Sequence, residues 1–172
     1  TLWNLAGTGL PLLVGAVTIP YLIRKTGVEA FGVLTLVWAL IGYFGIFDFG
    51  MGRALTQQVA MVRSAGLFAQ VPSLVKTGLG FTAGTGVLGG VVLAVLANQL
   101  AHHWLKISVP LQASTFWALL IAAIGIPLTT VTAGLRGILE AYEDFRDVNL
   151  LRIALGIANF GLPALSVVLI SN

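Results

Sequence analysis

Cysteine is absent from this 172-residue chain, and charged residues are scarce. Without cysteine there is no disulfide framework and no thiolate metal site, so cysteine usage leaves the redox compartment undetermined. Only 9% of the residues are charged, whereas a typical soluble domain has roughly 25%. This composition excludes an ordinary soluble domain. The nine Lys and Arg residues are scattered along the chain, so the basic pI near 9.7 does not indicate nucleic-acid binding.

The chain consists largely of long apolar stretches. Hydrophobic residues make up 58% of the chain, and its mean hydropathy is +0.99. Five stretches carry no Lys, Arg, Asp or Glu: residues 2–23, 30–47, 77–105, 107–135 and 153–172. Each is near or above the ~18–20 residues that a helix needs to cross hydrocarbon, and none shows the alternation of barrel strands. The sequence therefore predicts an all-α, polytopic transmembrane helix bundle.

We place spans at about residues 2–23, 30–47, 77–101, 108–131 and 150–171. The first is a true span rather than a cleaved signal, because no basic segment precedes it and no small-residue cleavage site follows it. Residues 53–65 put Leu55, Val59 and Val62 on one helical face, which predicts an interfacial amphipathic helix. Since both chain ends look cut, we treat residues 1–172 as a partial N-terminal lobe of one transmembrane domain.

The loop cations indicate an orientation. One side of the membrane would carry Arg24, Lys25 and Lys106. The other would carry twice as many: Arg53, Arg63, Lys76, Arg136, Arg146 and Arg152. Because cytoplasmic loops are enriched in Lys and Arg, we expect the even-numbered loops and the N-terminus in the cytoplasm.

Small residues within the spans indicate where helices approach one another. Lipid supplies no hydrophobic force between helices, so close packing depends on residues such as the 21 glycines of this chain. Two Gly-x-x-x-Gly motifs, at residues 80–84 and 86–90, and the set Gly7, Pro11 and Gly15 predict helix contacts. The few polar residues in the spans are chiefly Asn4, Thr8, Thr18, Thr82, Thr85 and Asn159. We expect most of them to hydrogen-bond between helices.

The sequence contains short motifs of soluble enzymes, but each lacks the residues that its function requires. Residues 84–89 spell G-x-G-x-x-G, but no strand precedes them and no acid occurs between Asp48 and Glu140. His102 and His103 have no further metal ligand nearby, and adjacent histidines do not converge on one helix face. No catalytic triad or carboxylate pair is apparent. We therefore predict no enzyme activity, no cofactor and no metal site.

Several segments, taken together and in order, resemble polysaccharide-biosynthesis flippases of the O-antigen and exopolysaccharide branch. That branch belongs to the multidrug/oligosaccharidyl-lipid/polysaccharide exporter superfamily. The segments are NLAGTGLPLLVG at 4–15, IPYLIRKTG at 19–27, FGVL at 31–34, FDFGMGR at 47–53 and LRGILEAYEDF at 135–145. The resemblance implies a two-lobed bundle of about 12–14 helices that works by alternating access. Its implied substrate is an oligosaccharide linked through pyrophosphate to undecaprenol, moved across the bacterial inner membrane. Implied partners are the lipid bilayer, the polysaccharide polymerase and chain-length proteins.

A pyrophosphate head needs a cationic path, and the forked guanidinium of arginine suits phosphate. Arg24, Arg53 and Arg152 lie at predicted span ends. Arg53 is the first candidate, because a Gly-rich turn separates it from Asp48 and would let the two side chains meet until substrate competes. For Arg24 and Arg152 the alternative role is anchoring at the membrane surface.

Two other functions stay open. A drug/cation antiporter of the same superfamily would share the fold, but it should carry a carboxylate deep within a span, and Asp48 lies only at an edge. A structural membrane protein without transport would also explain the packing glycines and the loop charges.

Overall fold

The computed structural model of the protein is built from helices. It describes the backbone of residues 2–46 and 50–170, and within those ranges it describes the side chains except at residues 2–7, 44–46, 51 and 170. The described α-helices are α1 (Leu2–Thr26), α2 (Val28–Ile46), α3 (Met51–Ser64), α4 (Val71–Gln99), α5 (Val109–Ala141) and α6 (Phe145–Ile170). A 3₁₀ turn at Phe68–Gln70 precedes α4, and a π-helical turn at Leu100–Trp104 follows it. The all-α prediction is confirmed for the described residues.

Three helical stretches among the described residues are long and apolar enough to cross a membrane. They are Phe68–Trp104, Val109–Ala141 and Phe145–Leu169, whereas Val28–Tyr43 is apolar but shorter. Helix α5 has 33 residues and is thus about 50 Å long, well over the ~30 Å of hydrocarbon. It continues beyond the predicted end at residue 131, where Gly134 packs against α4 and Gly137 packs against α3, so contacts with other helices support its last turns. The helix is therefore longer than the hydrocarbon is thick.

The chain forms two compact units. The terminal unit comprises Thr1–Gly32 and Asp144–Asn172, and the central unit comprises Val33–Glu143. In the terminal unit α1 packs against α6. Gly156 of α6 faces Pro11 of α1. One turn further along both helices, Phe160 of α6 faces Gly15 of α1. The two helices therefore run parallel.

In the central unit α4 and α5 pack antiparallel. A Cβ on Gly86 would clash with Thr130 and Pro127, and a Cβ on Gly90 would clash with the carbonyl oxygen of Ala123. The larger apolar cluster of the unit consists of Val37, Leu93, Ala97, Ala101, Leu119, Ala122, Ala123 and Ile126. Of the two predicted glycine motifs, the one at residues 86–90 lies in the helix contact. Gly80 and Gly84 face open space.

The expectation of hydrogen bonds between helices is wrong for three of the threonines. Thr18 donates to the carbonyl oxygen of Val14 at 2.8 Å, and Thr82 donates to that of Leu79 at 3.0 Å. The hydroxyl of Thr85 likewise donates to the carbonyl oxygen of Phe81 at 3.1 Å. A threonine hydroxyl in a helix reaches the carbonyl three or four residues earlier, so it needs no second helix.

Candidate functional site

Helix α3 packs tightly against the first turns of α4 and the last turns of α5. Its apolar residues Leu55 and Val59 are buried together with Val71 and Ala141. The apolar face of this predicted interfacial helix is therefore covered by protein rather than by a lipid surface. Glycine makes the approach possible, because a Cβ on Gly137 would lie 2.6 Å from the carbonyl oxygen of Gly52. The Thr56 hydroxyl has two acceptors within reach, the Gly137 carbonyl oxygen of α5 at 2.8 Å and the Gly52 carbonyl oxygen of its own helix at 2.9 Å.

This packing gathers positive charge at one end of the central unit. Because α4 and α5 are antiparallel, the start of α4, the end of α5 and the docked α3 lie together, and we name this region the cationic end. Four of the five Lys and Arg residues of the unit lie there: Arg53, Arg63, Lys76 and Arg136. Lys106 lies beyond the opposite end of α4. The cationic end is thus the part of the unit best suited to an anionic headgroup.

Arg53, the first candidate from the sequence, is exposed on the outer face of α3. Gln57, Ala60 and Ser64 follow on the same exposed face, at the spacing of one helical stripe. Gly50, the residue before α3, has φ of 73°, in the left-handed region that glycine adopts readily. Asp48 lies outside the described residues, so its pairing with Arg53 stays a prediction.

Arg24 and Arg152 lie near opposite ends of the terminal unit. Helices α1 and α6 are parallel, with Pro11 level with Gly156; Arg24 lies thirteen residues after Pro11, whereas Arg152 lies four before Gly156. At 1.5 Å rise per residue the two arginines are separated by about 25 Å along the helix axes. Arg24 is exposed and Arg152 is half-buried. A single pyrophosphate group therefore cannot contact both arginines at the same time.

Sequence reasoning counted Arg63 only as a loop charge, yet the structure gives it defined contacts. Its Nη1 donates to the carbonyl oxygen of Ala141 at 2.7 Å, and its Cζ lies 4.0 Å from the centroid of the Tyr142 ring. The carbonyl belongs to the last turn of α5, where acceptors lack partners within the helix and a cation is favoured. The signal was the spacing from Val59, four residues earlier, which places Arg63 on the packed face of α3.

Arg63 lines a cleft of about 330 Å³ at the cationic end. Ser64 and Phe68 line it from the α3 side, and Tyr142 and Glu143 line it from the end of α5. The small side chains of Ala60 and Ala141 complete its lining. We call this site the Arg63 cleft. It combines a guanidinium, a carboxylate, a hydroxyl and two aromatic rings, so it can hydrogen-bond and stack at the same time.

Other features of the described residues offer less chemistry. No group of three or more His, Cys, Asp or Glu residues that could hold a metal ion occurs in the part of the chain that the structure describes. His102 bonds through Nδ1 with the carbonyl oxygen of Asn98, 3.1 Å away. A groove of about 550 Å³ between α4 and α5 is almost wholly apolar, with Trp117 and Ile121 among its lining. It can pack against hydrocarbon or another helix but has no means to orient a polar ligand.

The chain is similar to a protein of Shigella flexneri named "Putative O-antigen transporter". The two are 30% identical over 167 residues, which is 97% of this chain and 39% of that protein. The chain therefore spans about two fifths of the length of this relative. No protein-family model matches the chain, and no solved structure matches it. The similarity extends over nearly the whole chain described above, including the helices that form the cationic end.

Proposed function

We propose that this chain is part of a flippase that moves undecaprenyl-pyrophosphate-linked oligosaccharide across the bacterial inner membrane by alternating access, for surface polysaccharide biosynthesis. The observation that carries the proposal is the 30% identity to the Shigella flexneri protein over 97% of the chain. The apolar helices support it, because the polar head of a lipid-linked saccharide needs a protein path through hydrocarbon. The complete protein would be a two-lobed bundle of 12–14 helices, of which this chain supplies five spans.

The cationic end supports an orientation for this transporter. Loops rich in Lys and Arg stay in the cytoplasm, so the cationic end and the N-terminus would face the cytoplasm. Substrate would then meet Arg53 as it enters, with Asp48 as the group it displaces. Arg24 and Arg152 would act at other depths or serve as anchors. The bilayer, a polymerase and chain-length proteins would be its partners.

The positions of the acids favour a flippase over a drug/cation antiporter. An antiporter needs a carboxylate within the membrane, where ionisable groups bind and release the coupling ion. Among the described residues, Glu29 lies in the first turn of α2, and the remaining acids lie within residues 140–147. Each of these positions is at the end of a helix rather than in the middle of a span.

The decisive experiment locates lipid-linked repeat units in cells that lack the full-length gene. We expect them to accumulate in the cytoplasmic leaflet, where a membrane-impermeant glycosidase or lectin added to the periplasmic face cannot reach them. Surface polysaccharide should fall, and a plasmid copy should restore both properties. Normal accessibility together with normal surface polysaccharide would refute the proposal.

A second experiment tests Arg53 in the full-length protein. Arg53→Ala should reduce surface polysaccharide at normal protein levels, and Arg53→Lys should retain part of it, because lysine keeps the charge but loses the two-pronged contact with phosphate. Arg136→Ala is the matched control, since Arg136 is an exposed cation of the same end that already pairs with Glu140 at 3.5 Å. Equal output from Arg53→Ala and wild type would remove Arg53 from the substrate path.

A further inference from the structure

The Arg63 cleft has the chemistry of a saccharide site. We propose that it binds one sugar ring of the lipid-linked oligosaccharide at the membrane face where the cationic end lies. The inference rests on the proposed function and deepens it, because it assigns a binding site for the substrate outside any central cavity. A volume of about 330 Å³ lies at the lower end of the roughly 300–1,000 Å³ typical of small-molecule sites, so it suits one ring rather than a whole repeat unit.

The guanidinium in the cleft is held in place before any ligand arrives. Its bond to the Ala141 carbonyl oxygen and its stacking on Tyr142 fix its plane. Arginine carries five N–H donors, and the bond to Ala141 engages one nitrogen, so other donors remain for a ligand. A preorganised donor of this kind binds a hydroxyl oxygen with little loss of side-chain freedom.

The carboxylate in the cleft is placed by an unusual backbone conformation. Glu143 has φ of 59°, in the left-handed region that glycine or asparagine normally occupies after a helix. Within the described residues its side chain makes no hydrogen bond or ion pair, even though Arg63 lines the same cleft. Glu143 is exposed, and the guanidinium beside it is held by the Ala141 carbonyl oxygen, so both groups are within reach of a ligand that enters the cleft.

A sugar ring satisfies this combination better than a simple ion does. Each sugar hydroxyl both donates and accepts, so neighbouring hydroxyls can donate to Glu143 and accept from Arg63. Inorganic phosphate would gain from Arg63 but lose to the Glu143 charge beside it, whereas a neutral ring that both donates and accepts can bond to both groups. The rings of Phe68 and Tyr142 are 63% and 48% exposed, which leaves apolar surface for the C–H face of a sugar.

Saturation-transfer NMR on the full-length protein in micelles tests this proposal. The probes are the methyl glycosides of glucose, galactose and N-acetylglucosamine. We expect at least one glycoside to bind wild type in the millimolar range. Tyr142→Ala and Glu143→Gln should weaken that binding at least tenfold. The matched controls are Tyr43→Ala, an exposed tyrosine elsewhere, and Glu140→Gln, and each should change it less than twofold.

Glu143→Gly separates binding from folding. Glycine suits the positive φ, so this variant should keep or raise thermal stability while losing at least tenfold in glycoside affinity. Unchanged affinity in Glu143→Gly, or no glycoside binding by wild type, would overturn the inference. So would displacement by glycerophosphoethanolamine alone, which would indicate a zwitterionic lipid headgroup. The leaflet experiment in the gene deletion is independent of glycoside binding. Normal accessibility of the lipid-linked units, together with glycoside binding, would refute the flippase proposal but not the cleft proposal. Units trapped in the cytoplasmic leaflet, together with no glycoside binding, would refute the cleft proposal but not the flippase proposal.

Discussion

The two compact units differ in how helix direction distributes charge. In the terminal unit α1 and α6 run parallel, so Arg24 and Arg152 lie about 25 Å apart along the axes. In the central unit α4 and α5 run antiparallel, and the docked α3 adds its own cations, so four cations lie at one end. Counting loop charges predicts a side of the membrane. Only the direction of helix pairing determines which charges can act on one headgroup.

The units also differ in what their glycines contact. In the central unit a Cβ on Gly90 would meet the carbonyl oxygen of Ala123, a backbone atom that moves only with its helix. In the terminal unit a Cβ on Gly156 would meet the ring of Pro11 at 2.5 Å. The Pro11 ring is closed onto the backbone of α1, so this overlap too is relieved only when the helix shifts. Gly90 is buried whereas Gly156 is half-buried, so the central contact should tolerate substitution less well.

The largest effect should come from Gly90→Ala. The added methyl must separate α4 from α5, and overpacking of this kind costs about 3 kcal/mol at the upper end of its usual range. The measurement is SDS-induced unfolding of the full-length protein in mixed micelles. Gly84→Ala is the matched control in the same helix, because nothing lies within 4 Å of its added Cβ. Equal unfolding curves for the two variants would contradict the α4–α5 contact.

Gly156→Ala should have a smaller effect, about 2 kcal/mol in the same unfolding measurement. The methyl group overlaps Pro11, but Gly156 is only half-buried, so moving α1 away from α6 disrupts less packing. Gly161→Ala serves as control, since its Cβ would meet only Ile157 of its own helix at an ordinary 3.9 Å. A loss as large as that of Gly90→Ala would show that the two contacts are equally rigid.

Much of this architecture follows from residue type, and the remainder depends on contacts distant in sequence. The apolar runs predict helices, and the spacing of Leu55 and Val59 predicts the buried face of α3. Spacing alone could not tell which glycine motif packs against α5, because residues 80–84 and 86–90 have the same Gly-x-x-x-Gly pattern. They differ only in whether residues of α5 lie next to the glycines. The Arg63 cleft was missed for the same reason: the carbonyl that Arg63 binds is 78 residues away.

Arg63→Ala should destabilise the full-length protein by about 1.5 kcal/mol. It removes a charge-assisted bond to the Ala141 carbonyl oxygen and the stacking on Tyr142, and an arginine–ring contact contributes about 0.5–1 kcal/mol. Arg24→Ala is the control from the terminal unit. Arg24 is exposed at the end of α1, so its loss should change unfolding by less than about 0.5 kcal/mol. Similar losses for both variants would make Arg63 an ordinary surface cation.

The smallest effect should come from Thr56→Val. The Thr56 hydroxyl can donate to the Gly137 carbonyl oxygen at 2.8 Å or to the Gly52 carbonyl oxygen at 2.9 Å, and only the first of these bonds joins α3 to α5. Hydrogen bonds between membrane helices contribute about 0.6 kcal/mol on average, and valine keeps the volume. Thr85→Val removes a bond within one helix and should change stability less. Amide hydrogen exchange is the sharper readout: Thr56→Val should speed exchange in α3 while leaving α4 and α5 near residues 86–90 protected. Equal acceleration throughout the central unit would mean that α3 does not open separately, and the cationic end would then be one rigid part of the unit.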